Sequence, residues 1–159
     1  MTGHADGAAD FDFLHGSWSV RHRKLRRRLA GDDAWIAFEG TMTARPILAG
    51  AGNIDENLLH DPDGSYAAVT LRMFDPASGQ WSIVWIDDRV ARPDPPVIGR
   101  FQNGDGVFLG EDQLDGRPIL VRFLWSAIGV DGARWEQSFS GDDGGTWQPN
   151  WIMEFERRS

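Results

Sequence analysis

The chain predicts an all-β fold, an up-and-down antiparallel barrel of about ten strands with a short N-terminal helix or plug. Three observations carry that expectation. Apolar and polar residues alternate over short runs, turn signals rich in Gly, Pro and Asp return roughly every ten residues, and no stretch keeps a convincing helical period. At 159 residues the chain suits one domain with a substantial core, and its 41% hydrophobic content is ordinary for a folded protein.

The elements follow in order. Residues 1–10, MTGHADGAAD, are small and polar and read as a disordered leader before a single domain, 11–159. They have neither the basic start nor the apolar stretch of a secretion signal, so a cytoplasmic location is expected. Phe11, Phe13 and Leu14 are suited to a short helix or plug. A first strand runs from about Gly16 to Leu29. Trp18, Val20 and His22 share one parity and Leu25 and Leu29 the other, so a bulge is expected near His22 to Lys24. WIAFEGTMTARPIL and GNIDENLLH give the second and third strands, and DPDGS and DPASG are turns around YAAVTLRMFD. QWSIVWIDD is followed by RVARPDPP, too rich in proline for a central strand. VIGRFQN, VFLGEDQL, RPILVRFLWSAI, RWEQSFS and TWQPNWIMEFERR complete the count. Ten strands enclose more than their side chains can fill, since about eight is the number at which filling is complete. A cavity is expected.

SGDDGGTW (140–147) has the spacing S-x-D-x-G-x-T-W, similar to the Asp-box that caps hairpins in sialidase propellers. It occurs once, in a chain long enough for only about three or four blades. It reads as a hairpin turn, with Asp142 bonding to turn amides, Gly144 and Gly145 at positive φ, and Trp147 packing beneath.

FDFLHGSW near the start, RMFDPASGQWSIVWIDD in the middle and RWEQSFSGDDGGTWQPNWIMEFER at the end together resemble a bacterial group of lipocalin-like proteins, calycin-type in the broad sense, to which no activity is attached. Gly16-Ser17-Trp18 is similar to the G-x-W with which such barrels begin. The resemblance implies that Trp18 closes the bottom of the barrel, with Arg157 or Arg122 over its indole face. It also implies that a small apolar molecule occupies the lumen, since most relatives of this kind bind one and a minority are enzymes.

Eight Trp against one Tyr is unusual, and the strands place them on shared faces, among them Trp147 with Trp151, Met153 and Phe155. Trp85, Trp125, Trp135 and Trp151 are the expected walls of a ligand cavity, with Gln137 between Trp135 and Phe139 as an orienting polar group. The expected partner is a small hydrophobic or aromatic molecule. For a second, enzymatic reading, the candidate groups are His22, Glu39 (on the face of Trp35, Ala37 and Thr41) and Asp87 as proton carriers and Arg72 as holder of a carboxylate, enolate or phenolate. That reading describes a cofactor-independent isomerase, cyclase or lyase acting on an apolar or polyketide-like substrate. For each of these side chains taken alone, ordinary core packing or strand-end solvation is the simpler role.

Composition narrows the remaining classes. The chain has no cysteine, which excludes disulfides, thiolate catalysis and Cys-ligated metals. His22 is the one histidine of four on an apparent inward face, and a lone His is not a metal or haem set, so no cofactor or metal is expected. No nucleophile elbow or nucleotide-binding glycine loop is present. The net charge of −8 disfavours nucleic acid and anionic membrane surfaces as partners. The local exception is RHRKLRRRL (21–29), read as a solvated strand and hairpin tip rather than a phosphate-binding or acidic-partner site. No apolar run approaches the roughly 20 residues of a spanning helix. A homodimer is left open.

Overall fold

The computed structural model describes residues 7–159. Of the expected leader, residues 1–6, including His4, lie outside the described residues, whereas Gly7–Asp10 form a turn whose Gly7 carbonyl accepts a hydrogen bond from Trp81 Nε1 at 3.0 Å. A single 3-10 turn, Asp12–Leu14, supplies the N-terminal plug. Ten antiparallel strands follow: β1 (Gly16–Leu25), β2 (Trp35–Ile47), β3 (Gly52–Leu59), β4 (Tyr66–Asp75), β5 (Gln80–Asp87), β6 (Val97–Gln102), β7 (Asp105–Leu114), β8 (Arg117–Ser126), β9 (Gly132–Ser140) and β10 (Gln148–Arg157). Each pairs with its sequence neighbour, and β1 also pairs with β10, so the sheet is a closed up-and-down barrel with no free edge.

One end is solid. Phe11 meets Trp81 and Phe101 edge-on at 5.0 and 4.8 Å and stacks with Phe108 at 5.7 Å. Trp18 is completely buried and donates from Nε1 to the Leu14 carbonyl at 2.8 Å. Arg157 lies 4.2 Å over the Trp18 ring and donates to the carbonyls of Phe13, His15 and Val130 at 2.6–2.7 Å. One side chain therefore fastens the plug, the β8–β9 connection and the indole. Arg122, the alternative, lies instead over Trp147 at 4.4 Å.

The seam between β5 and β6 shapes the other end. Only Trp81, Ser82 and Ile83 find partners in β6. Beyond them Pro93, Pro95 and Pro96 have no amide to contribute to a ladder, so the 88–96 segment is irregular, and from it Asp94 N donates to the Trp85 carbonyl of β5 at 2.9 Å. The opposite seam is tight: a Cβ on Gly99 would collide with the Val107 carbonyl, which lets β6 and β7 approach closely.

Five local expectations are corrected. No bulge interrupts β1, which pairs in unbroken register from Trp18 to Lys24. The strand stops at Leu25, and Leu29 reaches the core because the tip folds back, with Leu29 N donating to Gln148 Oε1 at 2.7 Å. The inward face of β2 is Phe38, Gly40, Met42 and Ala44, so Trp35, Ala37 and Glu39 point outward. In β10 a register shift between Pro149 and Trp151 tucks Asn150 inward and takes Trp147 off the face of Trp151. In the 140–147 turn the positive φ angles belong to Asp143 and Gly144, not Gly145. Asp142 otherwise behaves as expected: hydrogen bonds from the amide and hydroxyl of Thr146 and from Ser140 hold its carboxyl down to about 2.

Candidate functional site

Above the plug the interior becomes polar before it becomes hollow. On β4 the parity of Tyr66, Ala68, Thr70 and Arg72 faces inward, and β3 presents Asn53, Asp55 and Asn57 beside it. Arg72 donates from Nη2 to Asp55 Oδ2 at 2.7 Å and from Nη1 to Asn53 Oδ1 at 2.9 Å. Asp55 Oδ1 also accepts from Asn57 Nδ2 and the Thr70 amide at 2.6 and 2.9 Å. The guanidinium lies 5.1 Å from the Phe11 ring, so the network sits on the plug. Removing one partner of this buried pair would strand the other charge. Arg72 is thus committed to Asp55, and only its Nε lacks a partner among the described residues. A niche of about 20 Å³, room for one water, lies against this network under Trp85, Phe123 and Trp135.

The hollow continues outward as a chamber of about 260 Å³. Ile83, Trp85, Phe123 and Trp135 line both spaces, so they form one column along the barrel axis. Alternation puts them there. β5 turns Trp81, Ile83, Trp85 and Asp87 inward, β8 turns Ile119, Val121, Phe123 and Trp125, and β9 turns Trp135, Gln137 and Phe139. Trp151 meets Trp85 at 5.4 Å and Trp135 at 5.4 Å, both edge to face. These rings present faces to the chamber rather than filling it. Trp125 is different: it is packed against Phe155 at 5.2 Å and Phe13 at 5.7 Å and reaches only the lower niche. Gln137 lines the chamber and donates from Nε2 to Asn150 Oδ1 at 2.9 Å.

The proton-carrier candidates do not converge. His22 is buried, stacks on Phe38 at 4.7 Å and accepts from Trp151 Nε1 at its Nδ1 at 3.1 Å. Burial, aided by Lys24, pushes it down to about 3, so the ring is neutral with its proton on Nε2. Its role in this arrangement is to orient the Trp151 indole. Gly40 leaves the space it occupies, since a Cβ there would lie 3.2 Å from Nε2 and strike the Leu58 carbonyl. Glu39 is on the outer surface, away from the chamber, because β2 has the reverse facing to that expected. Asp87 lies at the chamber rim. Burial raises its carboxyl, but hydrogen bonds from Arg89 and from Trp85 Nε1 at 2.9 Å outweigh that and hold it below the ordinary range. Arg89 grips it in a two-point contact at 3.0 and 3.1 Å. The structure thus brings Trp85, Trp135, Trp151, Gln137 and Asp87 to one cavity, places His22 behind one wall and Arg72 beneath the floor, and leaves Glu39 outside.

Two rim residues were missed in the sequence. The basic run 21–29 divides: Arg21, Arg23, Arg26 and Arg27 are exposed, whereas Lys24 and Arg28 turn over the mouth and line the chamber. Lys24 Nζ is 4.3 Å from the Trp151 ring and donates to the Tyr66 hydroxyl at 3.2 Å. Its parity with Trp18, Val20 and His22 was the available signal.

No family model matches the chain, and no curated protein matches it either. The solved structure of EF1p2_mFAP2b bound to DFHBI is similar to this chain with a TM-score of 0.48 and 10% sequence identity, over 96% of this chain and 100% of that chain.

Proposed function

We propose that this barrel binds a small hydrophobic or aromatic molecule in the chamber between Trp85, Trp135 and Trp151. The observation that carries the reading is a hollow of about 260 Å³ lined by three indoles that pack edge to face on one another without closing it. A space of this size fits one or two fused rings and falls just below the usual range for ligand pockets, roughly 300–1,000 Å³. Flat apolar guests gain most there, because each ring face met inside replaces contact with water. Gln137 and the Asp87–Arg89 pair supply the few polar contacts that orient such a guest. The calycin-type resemblance of the sequence agrees with this use of the lumen.

The acid–base alternative finds less support. Of its four candidates only Asp87 reaches the chamber rim, and it is held ionised by Arg89 and Trp85. Titration of the protein with a panel of neutral aromatics, followed by tryptophan emission, tests the proposal. Saturable quenching by at least one compact ring system, weakened in Trp85→Ala, is the expected result. An emission spectrum unmoved across the panel would overturn it.

A further inference from the structure

The mouth carries a charge asymmetry that the apolar chamber does not require. Arg89 is fully engaged, gripping Asp87 with two donors while its guanidinium lies 3.7 Å over the Tyr66 ring. Arg28 is the opposite case. It is half-buried above Phe139 and Trp151, 5.5 and 6.0 Å from their rings, and it makes no hydrogen bond or ion pair among the described residues. Lys24 shares the Trp151 ring with it, and its nearest carboxylate, Asp61, is 3.9 Å away. Burial first, then the neighbouring Arg28 and Arg89, pushes Lys24 down to about 8. The two cations share one indole and repel each other; Asp61 stands near Lys24 and the charge of Asp94 acts on Arg28, but no carboxylate forms a hydrogen bond or ion pair with Arg28 among the described residues.

We propose that the guest is an anion, a compact apolar or aromatic body whose single carboxylate, or a comparable anionic oxygen group, is received at the mouth by Arg28 and Lys24. This rests on the cavity reading above and adds the guest's charge and orientation. The ring body enters first, and the head group stays at the rim over Trp151. The floor is the other cationic place in the lumen, but Arg72 is neutralised there by Asp55 and Asn53. Across the rim stand Asp94 and Asp112, and burial with the charges of Asp112 and Asp87 raises the Asp94 carboxyl. They limit the guest to one anionic group placed on the Arg28 side. A guest with an ammonium head would instead be drawn to that opposite wall, an arrangement the unpaired Arg28 opposes.

Three probes with the same ring separate these cases: 2-naphthoate, 2-naphthamide and 2-naphthylmethylamine, each used to displace the neutral dye N-phenyl-1-naphthylamine from the full chain. Naphthoate is expected to bind about tenfold or more tightly than the amide, the scale of one charge-assisted contact. Arg28→Gln and Lys24→Met should each shrink that preference, and Arg28→Lys should retain most of it. Equal affinities for acid and amide, or tightest binding of the amine, would overturn the anion assignment while leaving the cavity reading intact. Failure of the dye and all three probes to bind would overturn both.

Discussion

At the closed end of the barrel Phe11, Trp81 and Trp125 interlock, and Arg157, over the buried Trp18, donates to three carbonyls. At the open end Trp85, Trp135 and Trp151 meet edge to face around a space, and Arg28 donates to nothing among the described residues. The residue types are alike and the outcome is opposite. What differs is the chain around them. The plug enters the lower lumen and supplies Phe11, Phe13 and Leu14 as filling, whereas at the upper end the proline-rich 88–96 segment lines the chamber as irregular backbone and brings no large apolar ring into it. Aromatic content alone therefore does not make a site; what matters is whether neighbouring backbone delivers enough volume to consume it.

The largest effect expected from breaking this contrast is at Trp18. Trp18→Ala should cost about 3–5 kcal/mol of stability in denaturant unfolding, the usual scale for emptying a packed aromatic site. Trp85→Ala, at a half-buried position facing space, should cost clearly less and weaken a ring-shaped guest more. Equal stability losses at the two positions would dissolve the distinction between the ends.

A pH experiment sharpens it next. His22 has a folded value of about 3 against an ordinary 6.5, so below pH 6.5 the unfolded chain takes up a proton that the native chain refuses. Stability from this group is intact above 6.5 and falls as pH falls toward 3. Between pH 6.5 and 5 the loss attributable to His22 is about 2 kcal/mol. His22→Gln should remove that part of the slope, read as the difference between the unfolding curves of the two proteins. Parallel curves across that window would place His22 in solvent contact rather than behind the wall.

The smallest expected effect lies at the rim turn. Ser140 is buried, its hydroxyl bonded to Asp142 Oδ1 and accepting from the Gly144 amide at 2.8 Å. Ser140→Ala should cost about 1 kcal/mol, in thermal or denaturant unfolding, with guest binding retained. Loss of binding from this change would give the turn a role beyond stapling its hairpin.

How legible this was in the sequence varies by strand. On β5, β8 and β9 alternation is clean and the inward faces follow directly from it, which is why Trp85, Trp135 and Gln137 fell where parity placed them. On β2 the lone Trp35 suggested an apolar face that the four residues Phe38, Gly40, Met42 and Ala44 contradict. A tryptophan at a strand end marks a face weakly, because the lip of a barrel is half exposed on both sides. The β10 bulge could not be read because Asn150 has no sequence mark distinguishing it from its neighbours. The Arg72–Asp55 pair depends on the β3–β4 register, a through-space fact that spacing along one strand does not contain. Lys24 and Arg28 were hidden in a basic run that looks uniformly solvated, and only the inward parity of β1 and the fold-back of its tip separate them from the arginines around them.

The hollow itself is tested most directly by filling it. Val121 points into the chamber from β8, and Val121→Trp would occupy the volume that the three indoles leave open. Titration of N-phenyl-1-naphthylamine into both proteins should give saturable, one-to-one quenching of tryptophan emission in the original chain and none in the folded variant. Equal binding by the two, or quenching that never saturates, would mean that the dye sits on the surface and that the open end of this barrel holds no guest.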